Sequence, residues 1–250
     1  MPSPTVDGSA IAFQADPFIS DLYNQQKPYY GLVLTSGWPP SPGMKESYEQ
    51  WINLVRNCFD PKDLSGETPP VYLYPGDHLH VTIATFYPIT PRDDKNNNDD
   101  FYLDMETKWK QVVQAASQRP EWPSEPIQLQ AKTSQIGTKA AIIMWDEITG
   151  GIQAMRSCLQ QEARDRQLEM ANIPGIVHSS FLRFHQIPLS SEGDVVQTKF
   201  RMDVLPQLPS IFSKPFVATD VKLACERKPY MHIPCDESHV FLTIPLKKKY

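Results

Sequence analysis

Asp77-His78-Leu79-His80-Val81-Thr82-Ile83 decides how the chain folds. Leu79, Val81 and Ile83 alternate with His78, His80 and Thr82. A strand sends successive side chains to opposite faces. The pattern therefore predicts a β-strand with one face suited to a core and two imidazoles and a hydroxyl on the other. Nearly a hundred residues later the run Ile176-Val177-His178-Ser179-Ser180-Phe181-Leu182-Arg183 repeats the arrangement, with His178 and Ser180 on one face. A Pro-Gly turn signal announces each strand, Pro75-Gly76 and Pro174-Gly175. Each follows one helical pattern and precedes another. A single histidine on a strand is ordinarily structural, satisfied by a backbone carbonyl. Two copies of His-x-(Thr/Ser)-apolar in like settings point instead to one shared site.

Two imidazoles facing one cleft suit general acid–base catalysis. Their ordinary pKa of about 6.5 lets one be neutral while the other is protonated near neutral pH. Hydrolysis needs a base to take a proton from water and an acid to protonate the departing oxygen. Thr82 and Ser180, two residues beyond each histidine, would donate hydrogen bonds to oxygens where charge develops.

The motifs His80-Val81-Thr82-Ile83 and His178-Ser179-Ser180-Phe181 resemble the paired signature of the 2H phosphoesterase superfamily, which includes the RNA 2′,3′-cyclic phosphodiesterases. In many members an Arg stands five residues after the second His, and Arg183 stands there. The element order matches from about Tyr29 to Pro245. Ser180 replaces the commoner Thr, Phe181 the commoner Leu, and His78 is an additional imidazole. The resemblance implies a metal-independent phosphoesterase with no cofactor, in which His80 is the acid and His178 the base. The substrate would be a 2′,3′-cyclic phosphate on a small nucleotide or an RNA end. By strand parity Arg183 lies opposite Ser180 and would reach the phosphate only if the strand bulges or ends there.

Two other readings stay open. His78 and His80 form an HxH pair on a strand, a metal-ligand arrangement; the further ligands would come from His178, His185, His232 and His239. Alternatively the fold is a catalytically silent module that binds a nucleotide or RNA end. Trp38, Tyr87, Trp145 and Tyr230 are candidate platforms for a base. Asp77 would orient His78 or shape its turn.

At 250 residues with net charge −5, the chain has length for a sizeable core and lacks the broad basic surface that grips long duplex nucleic acid. Four widely spaced cysteines form no CxxC, so free thiols are expected, with Cys225 and Cys235 the one pair that could meet across a hairpin. The sequence shows neither a signal-peptide pattern nor an apolar run long enough to span a bilayer. A cytoplasmic or nuclear monomer without membrane contact follows as the expectation.

Residues 1–20 read as an arm docked by Ile11, Phe13, Phe18 and Ile19. Residues 21–250 read as one bilobal catalytic domain. Helical spacing predicts helices after Gly43, over Phe101–Ser117, over Gly150–Leu168 and, more weakly, over Asp194–Leu205. Strands are expected at Tyr29–Ser36, Val71–Tyr74, Ile127–Ala131, Ala140–Trp145, Pro215–Ala224 and Val240–Pro245, besides the two His strands. Residues 91–100 read as a polar surface loop and Lys247–Tyr250 as a solvated tail. The order β-α-β(His)-α-β occurs twice, with the halves dividing near Gln135. The fold class is therefore α+β: two pseudo-symmetric lobes with antiparallel-rich sheets, outer helices and a central cleft.

Overall fold

The computed structural model describes residues 13–19, 28–60, 70–92, 99–187 and 189–246. Ile11, the centre of the polar loop and the lysine tail lie outside them.

Among the described residues, nine strands form two antiparallel sheets. The first has four strands in the order β3 (Val81–Pro91), β1 (Tyr29–Ser36), β8 (Asp220–Cys225), β9 (Val240–Pro245). The second has five: β2 (Val71–Leu73), β6 (His178–Phe184), β5 (Ala140–Glu147), β4 (Ile127–Ile136), β7 (Phe216–Ala218). Each sheet carries helices, giving the two-lobed α+β architecture expected from the sequence. Helix α1 (Pro42–Asn57) buries Tyr48, Trp51, Ile52 and Val55; α2 (Asp99–Ala116) buries Trp109, Val112 and Ala116. These residues recur at three- and four-residue spacing because only one stripe of each helix faces a sheet. Helix α3 (Gly151–Asp165) packs beside α2, and α4 (Ser190–Lys199) continues into a π turn over Phe200–Val204. No described helix is long and apolar enough to cross a membrane.

The lobes do not follow the halves of the sequence. A division near Gln135 falls inside β4, and each sheet draws strands from both ends of the chain: β2 joins the second sheet, β8 and β9 the first. The expected single strand over Pro215–Ala224 is two strands, β7 and β8, in different sheets, broken at Thr219. Strand pairing between distant segments is set by tertiary packing, which local alternation does not encode.

The first His strand also begins later than its alternation predicts. Gly76–His78 is a 3-10 turn, Leu79 is extended, neither Leu79 nor His80 belongs to a strand, and β3 starts at Val81. Side-chain alternation persists through the junction nevertheless. Leu79, Val81 and Ile83 are wholly buried, while His80 and Thr82 are only half-buried.

All four cysteines are free thiols; Cys58, Cys158 and Cys225 are buried and Cys235 is exposed. The N-terminal segment docks as expected where it is described. Phe13 packs on Phe184 with ring centroids 4.5 Å apart, and Ile19 is fully buried.

Candidate active site

The first motif lies where β3 enters the edge of its sheet, and the second lies on β6, one strand in from the edge of the other. Three connections bring them together. Ser179 Oγ donates to the His80 carbonyl at 2.6 Å and accepts Trp145 Nε1–H at 3.0 Å. Arg156 of α3, only 3% exposed, donates through Nε to the Ile83 carbonyl at 3.1 Å. Its Nη2 donates to the carbonyls of Thr82 and Ile176, both at 3.2 Å. Finally, Thr85 and Asn172 exchange backbone hydrogen bonds at 2.8 and 3.0 Å. A guanidinium is suited to this bridging, because its five fixed donors satisfy several carbonyls that β-pairing leaves open.

A cavity of about 340 Å³ opens at this seam, a size that admits a small nucleotide. His80, Thr82, His178, Ser180 and Arg183 all line it, with Tyr74, Glu226, Tyr230 and Met231 among the other walls. The sequence-predicted residues of both motifs are thus brought to one place. Arg183 joins them because of a bulge. Ala141 pairs with Leu182 but Ile142 pairs with Ser180, so Phe181 is skipped and the parity of β6 reverses.

The histidines differ in how they are held. His80 Nδ1 donates to the His78 carbonyl at 2.7 Å, which places its proton on Nδ1 and leaves Nε2 as the atom available to a ligand. Burial, aided by neighbouring His178 and His78, pushes its pKa down to about 4, against the pull of that carbonyl. His178 Nδ1 is buried without a hydrogen-bond partner among the described residues. Its pKa is also lowered, first by burial and then by the nearby Arg156 and Arg183 guanidiniums, with the Ile176 carbonyl opposing. Both rings are therefore biased towards neutrality. A bound phosphate would supply the negative charge that favours a proton on one of them.

Arg183 is held on three sides. Its guanidinium lies over the Tyr230 ring at 4.4 Å; Nε meets Tyr74 Oη and Nη1 meets Asp16 Oδ2, each at 3.3 Å. Asp16, from the docked N-terminal segment, also accepts the Tyr230 hydroxyl. Tyr230 and Met231 both adopt left-handed backbone angles, with φ 59°. Such angles are costly for residues with a Cβ and persist only where surrounding contacts impose them. Here Asp16 and the Arg183 stack hold Tyr230, while Glu226 Oε1 accepts Met231 N–H at 2.9 Å.

His78 is not brought to the cavity. Its ring stacks on His232 with centroids 4.3 Å apart, and its Nδ1 donates to the Met231 carbonyl at 2.6 Å. The 3-10 turn breaks the strand parity that would have put His78 beside His80. His232 Nδ1 donates in turn to the Pro229 carbonyl at 2.8 Å, and its Nε2 accepts the Tyr72 hydroxyl. The HxH pair of the metal-ligand reading is therefore split between a packed cluster and the cavity. Among the described residues no three His, Cys, Asp or Glu side chains are placed to hold a metal ion. Asp77 pairs with Lys45 Nζ at 2.7 Å, tying the turn to α1.

Of the four aromatic platforms considered, only Tyr230 lines the cavity. Trp38 and Trp145 are buried, and Tyr87 packs on Tyr30 and Phe101. Ser179, Arg156, Asp16 and Glu226 are contributions that the motif reading missed. Two of them had a signal. Arg156 interrupts the apolar stripe Ile152, Met155, Leu159, Ala163 at a core position of α3. Ser179 occupies the core-facing parity of its strand between Val177 and Phe181.

No family model and no curated protein matches the chain. Solved structures do resemble it. LigT of E. coli complexed with 3′-AMP is 13% identical, covering 89% of this chain and 100% of its own, at a TM-score of 0.46. Usb1 of Kluyveromyces marxianus with uridine monophosphate is 12% identical, covering 89% and 100%, at a TM-score of 0.49.

Proposed function

We propose that the chain is a metal-independent phosphoesterase that opens a 2′,3′-cyclic phosphate on a nucleotide or an RNA end by His/His acid–base catalysis. One observation carries the reading: both copies of the motif, His80 with Thr82 and His178 with Ser180, line a single cavity together with Arg183. In this reading the phosphate sits between the imidazoles. One neutral ring takes a proton from water as the water oxygen bonds to phosphorus. The bond to one ribose oxygen breaks, and the protonated second ring gives its proton to that oxygen. Thr82 and Ser180 donate to the non-bridging oxygens as their charge grows. The family resemblance makes His80 the acid and His178 the base. The tautomer of His80, with Nδ1–H spent on a carbonyl, leaves Nε2 for either role.

The test is a panel of 2′,3′-cyclic nucleotides and cyclic-phosphate-ended oligonucleotides, with products identified by NMR, before and after exhaustive chelation. Cleavage to a monophosphate that survives chelation is expected. Loss on chelation with recovery on adding zinc would favour a metal-dependent hydrolase, and binding without cleavage would favour a silent module.

A further inference from the structure

Asp16 meets Arg183 from 167 residues earlier in the chain, and its side chain is 6% exposed. Three donors converge on its carboxylate. Oδ2 accepts from Arg183 Nη1 at 3.3 Å and from the Tyr230 hydroxyl, while Oδ1 accepts Phe18 N–H at 2.9 Å. Both oxygens are acceptors, a demand that a carboxylate meets and a neutral amide does not. The main chain places the group without help from Arg183. Asp16 N–H donates to the Phe184 carbonyl at 2.6 Å, and Gln14 N–H to the Thr138 carbonyl at 2.8 Å. Phe13 and Ile19, both buried, anchor the segment on either side.

The consequence falls on Arg183. An arginine side chain is long and mobile, and a site that must order it on binding loses affinity. Here the Tyr230 ring covers the guanidinium, and Tyr74 and Asp16 take two of its five N–H donors. Its position at the cavity wall is thus set before a ligand arrives. A largely buried guanidinium without a counter-charge is costly, so loss of the Asp16 carboxylate favours other placements of the side chain. Tyr230, bonded to the same oxygen, loosens with it.

We infer that Asp16 is a positioning residue: it holds Arg183, and the Tyr230 ring beneath it, where the guanidinium binds a substrate phosphate. The inference deepens the cyclic-phosphate reading and rests on its placing a phosphate beside Arg183. It makes the N-terminal segment a working part of the site.

The experiment is a double-mutant cycle of Asp16→Asn and Arg183→Met. It is read as the Kd of inorganic phosphate by calorimetry and as kcat and KM on a 2′,3′-cyclic nucleotide. Asp16→Asn should weaken phosphate binding by ~10- to 100-fold, the scale of a hydrogen bond to a charged group, and lower kcat/KM by as much, chiefly through KM. In the Arg183→Met background the same change should alter either quantity by less than about twofold, because the group it positions is gone. Asp16→Ser, which keeps an oxygen for Phe18 N–H, makes the same comparison should Asp16→Asn fail to fold. Equal losses in both backgrounds would assign Asp16 to the fold alone and overturn the inference, as would unchanged or tighter phosphate binding by Asp16→Asn. Phosphate binding that follows the cycle, with no cyclic nucleotide cleaved, would support the inference and overturn the phosphoesterase reading.

Discussion

Ser179 Oγ reaches across the seam to the His80 carbonyl at 2.6 Å. The middle residue of the second motif thus fixes the backbone of the first histidine, while its neighbours His178 and Ser180 face the cavity. Trp145 Nε1 completes the chain from the far side, so the clamp is anchored in the core of the second lobe.

Ser179→Ala should therefore act on both stability and rate. It removes two hydrogen bonds and leaves a buried indole N–H unpaired, a loss of ~1–3 kcal/mol in urea unfolding. Because His80 loses its tether, kcat should fall more than KM changes. Full activity in a destabilised protein would show that the clamp serves the fold alone.

Arg156→Met should be the most destabilising of the single changes at the seam. It exposes no new charge but abandons three carbonyls of β3 and the approach to β6, for ~2–4 kcal/mol. Equilibrium denaturation measures it, and a change below about 1 kcal/mol would mean that the carbonyls find other donors.

This residue also marks where the sequence stops being informative. The strands and helices were legible because one face of each is apolar, and the two motifs were legible because they repeat. The alternation of Leu79, Val81 and Ile83 gave the right faces even where the hydrogen-bonded strand had not begun. His78 was misplaced because the 3-10 turn at Gly76–His78 resets parity without leaving a mark in the hydrophobic pattern. For Arg183 parity alone pointed away from the site, and the bulge at Phe181, which the reading named as the condition for reaching it, is equally unmarked in the hydrophobic pattern. Asp16 meets Arg183 and Tyr230, partners distant in sequence, so no local pattern could reveal it.

The buried imidazoles make stability pH-dependent. Burial holds His80 and His232 down to about 4, below the 6.5 of an unperturbed histidine. The unfolded chain therefore takes up protons between those values that the native state refuses. Stability is full above pH 6.5 and drains away as pH falls towards 4. Urea midpoints measured across this window should decline, and His232→Gln should decline less steeply. Equal slopes would contradict the account.

His78→Ala is the internal control for the site. Its ring packs on His232 and holds the Met231 carbonyl, outside the cavity. It should cost ~1–2 kcal/mol of stability yet change kcat less than tenfold. A loss of activity matching that of His80→Ala, at unchanged stability, would bring the second imidazole into the mechanism.

The most direct test is a double-mutant cycle on the two motif histidines, read as kcat on a 2′,3′-cyclic nucleotide that the unaltered protein cleaves. His80→Ala and His178→Ala should each lower kcat by ~10²–10⁴, the range for a positioned proton donor or acceptor. The double variant should be little worse than the poorer single one, because acid and base act as a unit. Folded single variants that retain wild-type kcat, or a double variant whose loss is the full product of the two, would contradict the claim that His80 and His178 work as one acid–base pair.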